Sequence, residues 1–325
     1  MYIKLHDSYI SIRNKPKNIS KKNEHLYKSA YSKEIPSTYL YILNNVSVVY
    51  DTLYSIKLKK FFIEETHLFS SSFNRKNKID RLLLFVKPYK KLDRGIWITM
   101  NWTEMYFHWI SDALTRLVMV DHYMSGHKII LPESYSKLSY VTESLKLLGF
   151  EPFYYKLNKR ISVDNIIIPS HVSRSGDFNK FTLLKLRNAF SKLFLENNNN
   201  RIFVSRKYAA HRIIENESDL YSVLNKFNIK IVHFENLTFE NQVKLVSQSS
   251  FICGLHGAGF TNMLFMPFGS KVFEMQISDE QNNCFYSMSS ELNFDYWHLT
   301  IEKKENGIGI VNPNEFEYML DIILN

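Results

Sequence analysis

The sequence predicts an α/β protein of two globular units, with largely parallel sheets covered by helices on both faces. Three observations carry this. The chain has 325 residues, and a domain usually holds about 100–200, so two units are expected. From about residue 95, strand-sized apolar runs alternate with stretches of helical periodicity. The turn Cys253–Asn262, which holds Gly254, Gly257 and Gly259, joins a strand-like run to a helix-like one.

Taken in order, residues 1–35 are polar, basic and poorly patterned. Arg81–Val86 and Ile96–Met100 read as strands. From Thr103 to about Tyr123, Met105, Trp109, Ala113 and Leu117 recur at helical spacing, with Thr103 as N-cap. Lys128–Leu131 is a strand stopped by Pro132, and Glu133–Leu148 a helix closed by Gly149. Pro152–Lys156 and Ile161–Pro169 are strands. His171–Asp177 is a polar crossover loop, Lys180–Leu195 a helix, and Asn197–Asn200 a flexible loop without a packing role.

The alternation then becomes regular. Strands Arg201–Ser205, Ile229–Phe234, Ser250–Gly254, Lys271–Gln276 and Asp295–Ile301 interleave with helices Glu217–Phe227, Phe239–Gln248 and the short Phe260–Met266. Pro313 suits a first helical turn, and Glu315–Leu324 completes a terminal helix. The expected division is an N-terminal unit 1–175 and a C-terminal unit 176–311. Residues 312–325 are expected as a helix packing back on the N-terminal unit.

Composition narrows the function classes. With 45% hydrophobic and 22% charged residues, the chain is not disordered. Two cysteines exclude a disulfide framework and a cysteine-built zinc site. No run approaches the ~20 apolar residues of a membrane helix, and no apolar leader follows the first lysine, so a cytoplasmic location is expected. The net charge of +9 favours anionic partners. Arg13, Lys15, Lys17, Lys21, Lys22, Lys28 and Lys33 crowd the first segment, which reads first as a solvated face. No nucleic-acid-binding motif accompanies them, so nucleic acid is not expected. Peripheral contact with the anionic inner membrane face is kept as an expectation.

Three constellations carry chemistry. In the glycine turn, glycines let a ligand approach the backbone, and the following helix N-terminus offers free N–H groups to an anion such as a diphosphate. It is neither a Walker loop nor a true dinucleotide fingerprint, and a plain tight turn is the competing reading. His256 and Asn262 favour a site, since a turn needs neither. In the second constellation, a strand ends at Ser205, and Arg206, Lys207 and Arg212 cluster beyond it, ahead of Asn216 and Glu217. Arginines at the carboxyl end of a parallel strand can fork onto phosphate oxygens; the alternative is a solvated loop with Asn216 as an N-cap. In the third, His108, Asp112 and Arg116 share one helix face at i, i+4 and i+8. A histidine–carboxylate pair suits general-base work, whereas a lone helix histidine is more often a satisfied core residue.

These blocks, in this order, resemble glycosyltransferase family 61. The matching pieces are H-W-x-x-D-x-L-x-R from His108 to Arg116, behind Asn101, and Ser205-Arg206 followed by Arg212, Asn216 and Glu217. Next come E-x-L-T-x-x-x-Q from Glu235 to Gln242 and G-x-H-G-A-G-x-T-N-x-x-F-x-P-x-G from Gly254 to Gly269; V-F-E then ends at Glu274. Thr115 stands where the family often has proline. Residues 1–80 match nothing recognised.

The resemblance implies a GT-B architecture, two Rossmann-like domains facing across a cleft. It implies an inverting transferase that takes a UDP-sugar as donor and a glycan as acceptor, with no cofactor and no required metal; bacterial surface or capsule polysaccharide is the expected setting. The absence of an Asp-x-Asp triplet agrees independently. On this reading Arg206, Arg212, His256, Gly257, Ala258 and Gly259 hold the donor diphosphate. Ser205, Asn216, Glu235, Gln242, Asn262 and Glu274 shape the nucleoside and sugar site, with Glu274 on the ribose hydroxyls. Asn101 and Arg116 lie on the acceptor side. His108 or Asp112 is the base, with a slight preference for His108. The alternative is a non-catalytic subunit that binds sugar nucleotides or glycans in a polysaccharide assembly complex.

Overall fold

The structure, a computed structural model, describes residues 2–66, 75–196, 199–304 and 307–325. The chain forms two compact units. The first comprises Met1–Tyr9, Glu34–Ser175 and Phe181–Phe190; the second Ile10–Lys33, Gly176–Lys180 and Ser191–Asn325. The early basic segment therefore belongs mostly to the second unit.

The early strands are β1 (Tyr2–His6), β2 (Tyr9–Ile12), β3 (Ser32–Ile35), β4 (Thr38–Val49), β5 (Thr52–Ser55) and β6 (Lys60–Phe61). Then follow β7 (Tyr89–Ile96), β8 (Lys128–Pro132), β9 (Pro152–Tyr155) and β10 (Arg160–Pro169). β2 and β3 form a small ladder of their own. The first unit's sheet runs β6-β5-β4-β10-β7-β8-β9, with β1 also on β4. β10 is parallel to β7 and antiparallel to β4, so the expected parallel sheet is here a mixed one. Ile161, Val163, Ile166 and Ile168 of β10 pack with Val46, Val48, Leu53, Trp97 and Ile130 in its core.

Two strand expectations fail in this unit. Arg81–Val86 lies in the helix Arg75–Leu82 and one following turn, Leu83–Val86, of the tighter 3-10 type. Leu83 and Val86 are exposed and Leu84 is buried, so the apolar run has no sheet face to fill. Ile96–Met100 begins where β7 ends, because the strand starts back at Tyr89 in a charged stretch that period alone does not reveal. Thr103 is not an N-cap. Its hydroxyl donates to the Met100 carbonyl at 2.7 Å and lies 2.6 Å from the Tyr135 hydroxyl, closing the turn before a helix that begins at Tyr106.

The second unit's strands are β11 (Asn200–Val204), β12 (Ile213–Ile214), β13 (Ile229–Val232), β14 (Ser249–Leu255), β15 (Lys271–Ile277), β16 (Asp295–Lys303) and β17 (Ile308–Ile310), in the order β12-β17-β16-β15-β14-β11-β13. β13, β11, β14, β15 and β16 are mutually parallel. Counted along the chain, these five lie in the order 2-1-3-4-5, a doubly wound sheet whose order reverses between β11 and β14. Asn200 is the first residue of β11, not part of a free loop; Asn197 and Asn198 lie outside the described residues.

The helix Pro313–Leu324 puts Phe316, Met319, Leu320 and Ile323 into the second unit's own core, against Phe203, Phe251 and Phe273. That corrects the expectation that it returns to the N-terminal unit: its apolar stripe is already covered. A further helix, Cys284–Glu291, escaped the sequence because its serines break the apolar stripe, although almost every residue in it is buried. From the early segment, Tyr27 is fully buried, with its ring 5.0 Å from that of Tyr286 and 4.8 Å from that of His298. Among the described residues no helix is long and apolar enough to cross a membrane.

Candidate functional site

In the second unit, the sequence-expected donor residues gather at the carboxyl ends of β11 and β14, at the point where the strand order reverses. Open parallel sheets leave a crevice there, because adjoining connections depart to opposite faces. Gly254 has φ +147°, and a Cβ on it would stand 2.7 Å from the Val204 carbonyl oxygen, so only glycine fits between the two strands. Gly257 is extended, and what it provides is space: a Cβ there would stand 1.8 Å from Arg206 Nη1.

Arg206 is pinned by backbone. Its Nε donates to the Arg212 carbonyl at 2.8 Å, and Nη2 to the His211 carbonyl at 2.7 Å. The Nε edge is thereby taken up by backbone, which leaves Nη1, against Gly257, and the second Nη2 N–H for an anion. Burial and the neighbouring Arg212 charge draw the Arg206 pKa down to about 10, while Glu235 acts the other way. Arg212, at φ 54°, lines an open hollow with His211, Asp279, Glu280, Gln281 and Asn282. Two cations are thus held near each other, Arg206 against the glycine loop and Arg212 on the hollow.

His256 stands in the same loop and is buried. Its backbone N–H donates to the Met275 carbonyl at 2.8 Å, and Nδ1 lies 2.5 Å from Glu274 Oε1. Glu274 is fully buried on β15. Its second oxygen accepts from the Tyr296 hydroxyl at 2.5 Å and from Gln276 Nε2 at 3.2 Å. The expectation that Glu274 meets ribose is corrected: both of its oxygens are engaged inside the protein, and it serves to orient the His256 ring. Tyr296 was missed, since nothing in its spacing ties it to Glu274; Gln276, two residues on, shares a strand face with Glu274, a period-2 signal that could have found it.

Other expected donor residues support the loop from below. Ser205 donates to Glu217 Oε1 at 2.7 Å. Asn262 donates to Gln242 Oε1 at 3.1 Å and to the Gly259 carbonyl at 3.2 Å, and Gln242 in turn donates to the Phe234 carbonyl. Asn216 exchanges two hydrogen bonds with the Val311 backbone. Ser205, Gln242 and Asn262 are buried, so they shape the loop rather than face a ligand. Ala258 opens the short 3-10 helical stretch Ala258–Phe265.

In the first unit, the helix carrying His108 and Asp112 widens into a π-type turn over Trp109–Ala113, a distortion frequent at functional sites. His108 Nδ1 lies 2.7 Å from Asp112 Oδ2. Ser175, from the loop after β10, donates to the same oxygen at 2.9 Å. Nothing in the sequence marks Ser175 beyond its place in a polar loop. Asp112 lines a cavity of about 190 Å³ with Met100, His171, Ser173, Arg174 and Ser175. His171 Nε2 lies 3.0 Å from the Glu64 carbonyl oxygen. Burial and the Arg116 charge draw its pKa down to about 3, so the ring is neutral near pH 7.

The structure does not give Arg116 an acceptor-facing position. It is almost wholly buried, and its guanidinium donates to the carbonyls of Pro169, Ile98 and Glu65 at 2.7–3.2 Å. It ties the helix to the end of β10. Asn101 is exposed in the turn ahead of the helix.

The chain is similar to the EGF domain-specific O-linked N-acetylglucosamine transferases of Drosophila melanogaster, 31% identical over 90 residues, and Gallus gallus, 28% over 94. The Bos taurus protein of that name is 30% identical over 80 residues. These stretches cover 27%, 27% and 23% of this chain and only 17%, 17% and 15% of the relatives. The family model described as Glycosyltransferase 61 matches residues 106–273, from the helix of His108 to the strand of Glu274, and so more than half of the sequence. This chain belongs to the glycosyltransferase 61 family.

Proposed function

We propose that this protein is an inverting glycosyltransferase that moves a sugar from a UDP-sugar to a hydroxyl of a glycan. The observation that carries the reading is the pair Arg206 and Arg212, held close despite their like charge at the strand-order reversal, beside the glycine loop. Two neighbouring cations, one of them fixed by backbone carbonyls, are stabilised when a dianionic group arrives between them, and a departing diphosphate is such a group. His256, oriented by Glu274, adds an imidazole on the same loop, which donates to an anion when the ring is protonated. These groups develop their strongest interactions as the sugar–phosphate bond breaks, which lowers the barrier without requiring a divalent metal.

The finer parts of the proposal follow the family. The two units act as the halves of a GT-B enzyme, and the His108–Asp112 pair activates the acceptor. The setting is surface or capsule polysaccharide synthesis at the cytoplasmic face of a membrane, with the basic surface in peripheral contact with anionic lipid. The related N-acetylglucosamine transferases make UDP-N-acetylglucosamine the first donor to try.

The test is a thermal-shift panel of nucleotide sugars, followed by UDP release with and without acceptor. A ligand present at 100 times its Kd adds roughly 2.7 kcal/mol of stability. A UDP-sugar that stabilises the protein and is turned over only with acceptor supports the proposal. Stabilisation without turnover on any acceptor favours a binding subunit, and no stabilisation by any nucleotide sugar refutes both.

A further inference from the structure

We infer that Asp112 is the group that takes the acceptor's hydroxyl proton, through Oδ1, and that His108 and Ser175 are positioning residues that hold Oδ2. The inference rests on the transferase reading above and decides between the two members of the pair.

The geometry is asymmetric. His108 Nδ1 at 2.7 Å and Ser175 Oγ at 2.9 Å converge on one oxygen, Oδ2. Among the described residues Oδ1 has no hydrogen bond, and Asp112, not His108, lines the cavity. The His108 ring has ring neighbours in Trp102, 5.5 Å away, and Phe107, 5.1 Å away. With Nδ1 directed at a carboxylate, the imidazole donates there. A carboxylate fixed through one oxygen presents the other in a defined direction, the geometric requirement for a general base. Two other proton acceptors line the cavity: His171, with Nε2 at the Glu64 carbonyl, and the Glu64 carboxylate, to which neither His108 nor Ser175 is bonded.

In the step, the acceptor O–H bond breaks and its proton passes to Oδ1. The oxygen's electron pair forms the bond to the anomeric carbon of the donor. The bond from that carbon to the phosphate oxygen breaks, and its electrons leave on the nucleoside diphosphate. Asp112, now a carboxylic acid, returns the proton to water after product leaves.

The experiment measures kcat by UDP release from the donor that the panel selects, with p-nitrophenyl glycosides as acceptors. UDP affinity by calorimetry serves as the check on folding. Asp112→Ala is expected to lose about 10²–10⁴-fold in kcat, with activity partly restored by added sodium formate, which supplies a carboxylate to the vacated space. His108→Asn, whose amide can still donate to Oδ2, and Ser175→Thr are expected to stay within about tenfold of wild type. His108→Ala and Ser175→Ala should fall further.

If His108→Asn is as inactive as Asp112→Ala, and formate restores nothing, His108 is the base and the inference is overturned. If Asp112→Ala fails to fold, Asp112→Asn replaces it, and near-normal kcat in that variant overturns the inference equally. A wild type that turns over no donor sinks the transferase reading itself, a result distinct from either.

Discussion

The guanidinium of Arg206 occupies the volume that a side chain at Gly257 would need, with Nη1 1.8 Å from the Cβ position. The two residues act as one piece of the candidate donor site, because the glycine's contribution is the place it leaves for the arginine. Gly257→Ala is therefore expected to displace Arg206 without straining the backbone, which is extended at that point. UDP affinity should fall about ten- to hundredfold, the loss typical of one charge-assisted hydrogen bond. Calorimetry on Gly257→Ala, Arg206→Ala and the double variant checks this. The double variant should lose little more than either single one, since both remove the same interaction.

Arg206→Lys should recover only a small part of the loss. An ammonium cannot keep the Arg212 and His211 carbonyl bonds and also present an edge to Gly257. Arg212→Ala is expected to weaken UDP binding by a similar ten- to hundredfold, while the Arg206 guanidinium, relieved of a like charge, is easier to keep protonated. Unchanged UDP affinity in Arg206→Ala and Arg212→Ala, with the fold intact, would return both to the solvated loop.

Glu274→Gln separates an orienting role from a ribose-binding one. The substitution preserves size but removes the charge that faces His256. UDP and 2′-deoxy-UDP should lose affinity by the same factor, since the carboxylate meets no sugar hydroxyl. A loss confined to UDP in a calorimetric comparison would reinstate the ribose contact.

His298 makes the second unit sensitive to acid. Asn23 Nδ2 lies 3.1 Å from its Nε2 and can only donate, so the ring is the neutral tautomer with the proton on Nδ1. Burial draws its pKa from 6.5 down to about 4. The unfolded chain therefore binds a proton that the folded one refuses between these values. Stability is complete above about pH 6.5 and falls as pH drops toward 4, by up to about 3 kcal/mol from this group. Denaturant melts at pH 7 and pH 5 should show the drop, and His298→Gln should reduce it.

Turnover should survive exhaustive EDTA treatment. In the proposed site Arg206, Arg212 and the Glu274-oriented His256 would meet the charge of the leaving diphosphate. A loss that Mg²⁺ or Mn²⁺ restores would refute the metal-free proposal.

Much of the second unit was legible because its signals are local. Each parallel strand is a short apolar run bounded by a turn, and Gly254–Asn262 declares a close approach by the types of residue it holds. The helix of His108 and Asp112 was legible from spacing alone. What the sequence hides is long-range partnership. Tyr296 reaches Glu274 only after the sheet assembles, across 22 positions, and Ser175 reaches Asp112 across 63. Arg116 shows the same limit in reverse, since a charged residue on a helix face looks available until three carbonyls from distant segments surround it. The first unit's strands were harder, because β7 carries charge and Leu82–Val86 has an apolar run without a sheet.

Residues 10–33 have a consequence for how the chain is made. Lys17 N–H donates to the Tyr296 carbonyl at 2.8 Å, and Asn18 and Tyr27 close on His298 and Tyr286. These contacts join positions more than 250 residues apart, so an early-synthesised segment must wait for the last strands before it has anywhere to pack. A gene cut near residue 176 would not yield an independent nucleotide-side fragment, because the product would carry an open trough where Tyr27 belongs. Restoring that trough by supplying the 10–33 peptide in trans, or by fusing it after residue 325 through a flexible tether, would turn a folding dependency into a split reporter for this protein.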